Sequence, residues 1–334
     1  MCQTITLILL LSTCPLLSQS NNDNSYSVLF YNVENLFDCK NDSLKNDEEF
    51  LYNGDKRWSH NRMYKKLTDV SKTILASNGW NAPALIGLCE IENEWVIKQL
   101  IYNTGLSSLK YNYIHFECDD HRGIDVALLF KREVFTPLLS APIKLSEPGS
   151  EFFTRDALYV KGVIATDTIH LVINHWPSKR GGSLQSTHKR TRVAQGITAH
   201  IDSIKQIETN PKLMIIGDFN AEYTSDVLQS FITKNDIESQ LKPNDISNHR
   251  IGGSYKYQGQ WSLIDHIFLS KNWLENRNYN ISHRIVSLPF LLEDDLTFSG
   301  VKPYRTYVGP RYNGGVSDHL PVLLNIKRLP PPNH

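Results

Sequence analysis

The sequence predicts one α/β domain, and three observations carry that expectation. Short apolar runs, Ala84-Leu-Ile-Gly-Leu-Cys89 and Leu213-Met-Ile-Ile216, read as strands buried on both faces. Met63, Leu67, Val70 and Ile74 follow the spacing of an amphipathic helix, which Gly79 stops. Across 334 residues there is no internal repeat, low-complexity tract or clear linker at which to divide the chain.

Taken in order, Tyr26–Val33 is β-branched and aromatic and reads as a strand, ending in Asn32-Val33-Glu34. Residues 40–60 form a charged loop turning at Asn53-Gly54-Asp55, followed by the helix through Met63–Ile74. The strand Ala84–Glu90 ends in a carboxylate, and Asn93 is placed to cap a helix running to Tyr102. Tyr111–Phe116 pairs with Ile124–Phe130, and Ala157–Thr166 with Thr168–Trp176. A basic loop, Lys179-Arg-Gly-Gly182, leads to a helix beginning near Thr187 that buries Val193, Ile197, Ile201 and Ile204. The strand before Asp218, a strand over Trp261–Leu269 and a last strand over Leu320–Ile326 complete the count.

Charge and composition narrow the function classes. The 35 basic and 35 acidic side chains balance, so no global field advertises nucleic acid or an anionic membrane. Thirty-four aromatic residues (6 Trp, 15 Tyr, 13 Phe) suit a packed core rather than a disordered chain. Residues 1–20 lack charged side chains and carry an apolar run from Ile5 to Leu11. With small residues at Ser18 and Ser20 they read as a signal peptide cut before Asn21. Ser12, Thr13 and Pro15 break that run far short of a spanning helix. The expected location is secreted or periplasmic; Leu11-Ser-Thr-Cys14 is a poor lipoprotein box, so anchoring is the minor reading. Cys39, Cys89 and Cys118 remain after cleavage, enough for one disulfide at most.

Six apolar strands each finish in, or follow, a polar cluster: Asn32/Glu34, Glu90, His175, Asp218/Asn220, Asp265/His266 and Asp318/His319. One such cluster is what a strand-end Asx turn produces. Six together are the inventory of a phosphoryl-transfer site that uses a divalent metal. Oxygen-rich donors favour Mg²⁺, Mn²⁺ or Ca²⁺ over zinc.

Seven segments then resemble one superfamily in order: Tyr31-Asn-Val-Glu-Asn-Leu-Phe37, Cys89-Glu-Ile-Glu-Asn93, Arg122-Gly-Ile-Asp-Val-Ala127, Asn174-His-Trp-Pro-Ser178, Gly217-Asp-Phe-Asn220, Ile264-Asp-His-Ile267 and Ser317-Asp-His-Leu320. They are similar to the endonuclease/exonuclease/phosphatase superfamily, and to its exported branch in Bacteroides-like bacteria. That group includes deoxyribonucleases, abasic-site endonucleases, inositol polyphosphate phosphatases and bacterial sphingomyelinases. The resemblance spans about residues 25–327. It implies a four-layer α/β/β/α sandwich of two mixed sheets with outer helices, residues 21–334 forming one catalytic domain.

It also implies roles. Glu90 is the principal Mg²⁺ ligand (Mn²⁺ may substitute), with Asn32, Asp318 and Glu34, the last standing where relatives often carry a shorter Asp. Asp218 orients or deprotonates the attacking water, and Asn220 holds the phosphate. His319, oriented by Asp265, donates to a phosphate oxygen, and His175 is the candidate general acid. Lys179 and Arg180 are candidate phosphate contacts. Arg122 and Arg155 serve as structural ion-pair partners as readily as substrate contacts and stay outside the catalytic set. Trp176 reads as core packing, and Asp125 as satisfying backbone or an Arg.

The expected activity is a secreted metal-dependent phosphodiesterase, foremost an endonuclease on nucleic acid. Cleavage of a sphingomyelin-like lipid or inositol phosphate is the alternative, and an inactive binding protein on the same scaffold a third. A lipid enzyme would want an exposed aromatic hairpin, for which the 286–313 segment, with Phe290 and Phe298, is the candidate. No stable membrane insertion is expected, and a monomer is.

Overall fold

Alternation along the central strands sets the layering, because residues at i and i+2 of a strand face the same way. A computed structural model describes residues 25–79, 81–146, 152–179, 183–242 and 250–330. The first six-stranded sheet runs β13 (Tyr279–Ile285), β18 (Val322–Arg328), β1 (Ser25–Leu36), β2 (Leu85–Ile91), β4 (Asp125–Phe130), β3 (Asn112–His115). The second runs β5 (Phe135–Ile143), β6 (Ala157–Ile164), β7 (Asp167–His175), β8 (Lys212–Asp218), β12 (Asp265–Ser270), β9 (Ile237–Glu238). Each sheet has one parallel pair, β1–β2 and β7–β8, and every other ladder in it is antiparallel. A parallel pair needs a crossover. The helices α1 (His60–Ala76) and α3 (Ser183–Ile207) lie in these two crossovers.

Val28 and Phe30 of β1, Leu171 and Ile173 of β7, and Met214 and Ile216 of β8 share one buried cluster between the sheets. Their neighbours face outward. Leu29 and Tyr31 pack under α1 and α2 (Glu94–Tyr102), while Val172 and Ile215 pack under α3 and α4 (Asp226–Asn235). The result is the four-layer α/β/β/α sandwich. Each fully buried aliphatic or aromatic side chain contributes about 1.5–3 kcal/mol. Gly87 lets the sheets approach closely, since a Cβ there would lie 2.5 Å from Ile216 Cδ1.

Several boundaries differ from the sequence reading. The expected strand over Trp261–Leu269 is two elements, β11 (Gln260–Ser262) and β12. Between them Ile264 N and Asp265 N donate to Ser254 Oγ, at 3.4 and 3.2 Å, rather than to a neighbouring strand. The strands β5 and β13 had no clear signature because both are sheet edges. Pro137 and Pro142 interrupt the first, and polar residues alternate through the second. The helix expected near Thr187 begins at Ser183. Three two-stranded ribbons complete the described chain: β10 (Tyr255–Tyr257) with β11, β14 (Leu292–Asp294) with β15 (Val301–Pro303), and β16 (Tyr307–Val308) with β17 (Arg311–Tyr312).

Cys39, Cys89 and Cys118 are free thiols, Cys89 inside the inter-sheet core. Trp176 is fully buried against Phe219 and Phe231. Asp125 accepts the Cys118 N–H at 3.1 Å and pairs with His115. Among the described residues no helix is long and apolar enough to cross a membrane.

Candidate active site

The inward parity of the central strands continues past the last apolar residue and becomes polar. Asn32 follows Phe30, His175 follows Ile173 and Asp218 follows Ile216, while Asp265 precedes Ile267 on β12. Side chains that filled the inter-sheet core one step earlier are thus replaced by an amide, an imidazole and two carboxylates at its end. Asn32 Nδ2 donates to Asp218 Oδ2 at 3.1 Å across the two sheets. His175 Nε2 lies 3.6 Å from Asp218 Oδ2 and 3.9 Å from Glu90 Oε1. His319, just before β18, meets Asp265 Oδ2 through Nδ1 at 2.7 Å and presents Nε2 to Asp218 Oδ2 at 3.8 Å.

Parity alone would aim Glu90 at the helices, since Cys89 faces inward. The ladders around Glu90 and after Asn32 shift register, and Glu34, Asn35 and Glu90 adopt positive φ of 50°, 57° and 62°. Such backbone costs on the order of 1–3 kcal/mol per residue and collects at functional sites. Local bonds offset part of it: Glu34 N donates to Asn32 Oδ1 at 2.9 Å and Asn35 N to Glu90 Oε2 at 2.8 Å. Asn220, also left-handed (φ 47°), turns its amide onto Trp176 O and Asp218 Oδ2, at 3.0 and 3.2 Å. Its side chain therefore steadies Asp218.

Burial and neighbouring charge set the protonation states. Burial, aided by Asp265, pushes the Asp218 carboxyl up to about 7. Burial works against a charged His319, but Asp265 and Asp218 outweigh it and hold the ring well above the ordinary imidazole range. Burial, then the charges of Arg155 and Arg122, push His175 well below that range. His319 is thus a cationic donor and His175 a neutral ring. The structure places His175, the general acid expected from the sequence, with Nε2 facing Asp218 and Glu90.

Further residues surround this centre. Lys66, fully buried on α1, donates to Glu34 O, Thr306 Oγ1 and Val316 O at 2.6, 2.5 and 3.1 Å. Burial lowers its amine, and the carboxylates of Glu34 and Asp318 act in the opposite direction. Arg305 reaches Asp318 Oδ2 at 2.7 Å and Glu34 Oε1 at 3.5 Å. Arg122 donates to Asn35 Oδ1, and Arg155 is buried 3.7 Å from Asp120. The Tyr255 ring packs on His319 with centroids 4.9 Å apart. Lys66 had a signal, standing three residues after Met63 on the apolar stripe. Arg305 and Tyr255 lie in turn-rich stretches with none. Lys179 is exposed on the loop after β7, and Arg180 lies outside the described residues. His266 points away from the centre, its Nε2 on Leu263 O at 3.0 Å.

The donor set fits a hard divalent cation. Glu34, Glu90 and Asp318, with the amide oxygen of Asn32, are the oxygen donors that the resemblance assigns to such an ion. Burial, followed by Asp318, pushes the Glu34 carboxyl up to about 7, while Lys66 and Arg305 act in the opposite direction. Ligand atoms of Asp218, Asp265 and His319 also lie within 4.8 Å of one another. A second group, His115, Glu117 and Asp125, meets the same distance.

The comparisons with known proteins agree with this architecture. The profile of the Endonuclease/Exonuclease/phosphatase family matches residues 27–328. The chain belongs to that family of phosphoric ester hydrolases. An endonuclease/exonuclease/phosphatase family protein from Bacteroides thetaiotaomicron superposes with a TM-score of 0.59 at 14% identity, over 93% of this chain and 97% of that one. The human Nocturnin catalytic domain with a bound sulfate anion gives 0.56 at 18%, over 91% and 95%. A mannosyl-6-phosphatase from Bacteroides thetaiotaomicron gives 0.58 at 14%, over 90% and 99%. At these identities the likeness is one of fold. None of the curated proteins matches the sequence.

Proposed function

We propose that this protein is an exported phosphodiesterase dependent on Mg²⁺ or Mn²⁺, with nucleic acid as its foremost substrate. The observation that carries the reading is the buried pairing of His319 with Asp265, its Nε2 3.8 Å from Asp218 Oδ2. A phosphodiester anion repels hydroxide, so the site must aim a water and match developing negative charge.

Asp218, held by Asn32 and Asn220, accepts a proton from the attacking water. Cationic His319 donates from Nε2 to a non-bridging phosphate oxygen, where charge builds. His175, the candidate general acid, presents Nε2 to the leaving oxygen, which takes up a proton there and departs as the alcohol. Glu90, with Asn32, Glu34 and Asp318, would hold the divalent ion, which when bound supplies Lewis-acid stabilisation of the phosphoryl oxygens. Arg122 and Arg155, whose charges reach His175, and exposed Lys179 with Arg180 suit flanking phosphates.

A lipid head group is the second reading, favoured by one observation. The turn between β14 and β15 exposes Leu296 (94%) and Phe298 (52%), near half-buried Trp261 and exposed Tyr257. Export rests on the apolar character of residues 1–20. The test is a panel with Mg²⁺: plasmid DNA, RNA, bis-p-nitrophenyl phosphate, sphingomyelin, inositol phosphates and mannose 6-phosphate. Turnover of DNA or RNA above the others, abolished by EDTA and restored by Mn²⁺, is expected. Preference for sphingomyelin would replace the nucleic-acid reading, and full activity after exhaustive EDTA would remove the metal.

A further inference from the structure

Beside Glu90 the chain brings together the loop 119–123, which precedes β4, and the segment 152–156, which leads into β6. Arg122 Nη2 donates to Asn35 Oδ1, and Asn35 N donates to Glu90 Oε2 at 2.8 Å, so the loop abuts the candidate active site. The two segments meet twice. Asp120 accepts the Arg122 N–H on Oδ1 at 2.9 Å, and its Oδ2 lies 3.7 Å from Arg155 Nε. The His121 and Phe153 rings lie 4.7 Å apart between centroids, tilted by 53°.

Their burial is uneven. Arg155 is 7% exposed, and its Nε is buried without a hydrogen bond. A charged donor kept from water and left unpaired is costly unless an anion arrives to meet it. Phe153, two residues earlier, is 48% exposed, and His121 is exposed beside it. Both backbones are fixed. Lys45 Nζ donates to Cys118 O and Asp120 O at 2.6 and 3.1 Å, and Asn46 N to His121 O at 2.7 Å. Ser146 Oγ accepts the Thr154 N–H at 3.0 Å and donates to Thr154 O at 2.8 Å, which ties down the residue between Phe153 and Arg155.

A ring held half in water next to two guanidinia matches a ligand that joins a flat π-face to an anion. A nucleotide has both. An inositol phosphate lacks the π-face, and a choline head group would bring a cation toward the arginines. Inside a duplex each base face is already stacked, so such a platform serves a single strand. We propose that His121, Phe153, Arg122 and Arg155 form a nucleotide subsite that selects single-stranded nucleic acid. Phe153, propped by His121, stacks on a base, and the two guanidinia take the phosphate joined to it. The inference rests on the nucleic-acid reading above and deepens it.

Hydrolysis of a short oligothymidylate, and of the same strand built from base-free tetrahydrofuran units, tests it on the full chain with Mn²⁺. The native protein is expected to prefer the base-bearing strand by on the order of 10-fold in kcat/KM, through KM. Phe153→Ala should abolish that preference and Phe153→Trp restore it. Arg155→Gln should raise KM for both strands alike; Arg122→Gln serves as the second variant should the buried one fail to fold by circular dichroism. Pairing the oligothymidylate with oligoadenylate should slow its cleavage by about 10-fold or more. A preference that is missing from the native chain or survives Phe153→Ala, an unchanged KM in folded Arg155→Gln, or a duplex cut as fast as the free strand overturns the proposal. A native chain that cuts neither strand yet hydrolyses bis-p-nitrophenyl phosphate overturns the nucleic-acid reading itself, a different failure and one seen before any variant is made.

Discussion

The ends of the two parallel pairs, β1–β2 and β7–β8, occupy equivalent places in their sheets yet solve different problems. At β1–β2 the polar groups are aimed by left-handed backbone at Glu34, Asn35 and Glu90, and three cations, Lys66, Arg305 and Arg122, stand close by. At β7–β8 strand parity carries His175 and Asp218 inward; the amides of Asn32 and Asn220 hold Asp218, with the rings of His175 and His319 at 3.6 and 3.8 Å. The carboxylates of Glu34 and Glu90, turned in by that strained backbone, are the metal end of the reading proposed above. Hydrogen bonds on titratable groups suit the second to moving protons. On the proposed reading, charge neutralisation and acid–base chemistry fall at different ends of the inter-sheet core.

Mutations at the two ends should therefore fail in different ways. The largest effect is expected at the second end. Asp218→Asn and His319→Ala should each lower kcat by on the order of 10²-fold or more at saturating Mn²⁺, measured with bis-p-nitrophenyl phosphate. If either leaves kcat within about threefold, the assignment of proton handling to β7–β8 is wrong. At the first end Glu90→Gln should raise the Mn²⁺ concentration for half-maximal activity by about 10-fold or more, with a melting temperature near that of the native chain. A change in kcat without a change in metal requirement would erase the distinction.

A third measurement reads the raised carboxyls directly. Glu34 and Asp218 sit at about 7 in the folded protein, above about 4 for an unfolded carboxyl. Their protonated forms stabilise the fold at low pH, and that contribution disappears as pH rises from about 4 through about 7. His319, held above the ordinary imidazole range, has the same sign: its contribution is lost as pH climbs past its folded value. The melting temperature in EDTA should fall between about pH 6.5 and 8, and Mn²⁺ should flatten the decline; a rise over that range in EDTA would contradict it. The smallest effect is expected at Lys179→Ala. It should raise KM several-fold for long nucleic acid in low salt and little for a small diester. Equal damage to both substrates would argue against the loop as a phosphate contact.

What could be read beforehand follows from what periodicity records. Runs such as Leu213–Ile216 declare a doubly buried strand, and the polar residue two steps on inherits its direction. Asn32, Asp218 and Asp265 were legible for that reason. Glu90 was legible as a residue but not in its aim, because alternation does not announce a left-handed turn. Arg305 and Tyr255 arrive from ribbons whose position depends on contacts far along the chain. The edge strands β5 and β13, proline-broken or alternating in polarity, lack the continuous apolar signal of the centre.

The buried Lys256 has a mechanical consequence. Its amine pairs with Asp295 at 2.8 Å and donates to Ser299 O and Val301 O, both at 3.1 Å, so β10–β11 is riveted to β14–β15. The residue before it, Tyr255, lies on His319. A rivet one residue from the imidazole makes that side of the entrance a template with a fixed bore rather than a flap. Lys256→Met should therefore widen the spread of KM among bulky esters while leaving a small chromogenic diester almost untouched. Tightened binding of every ester alike would show that the bore was never the selector.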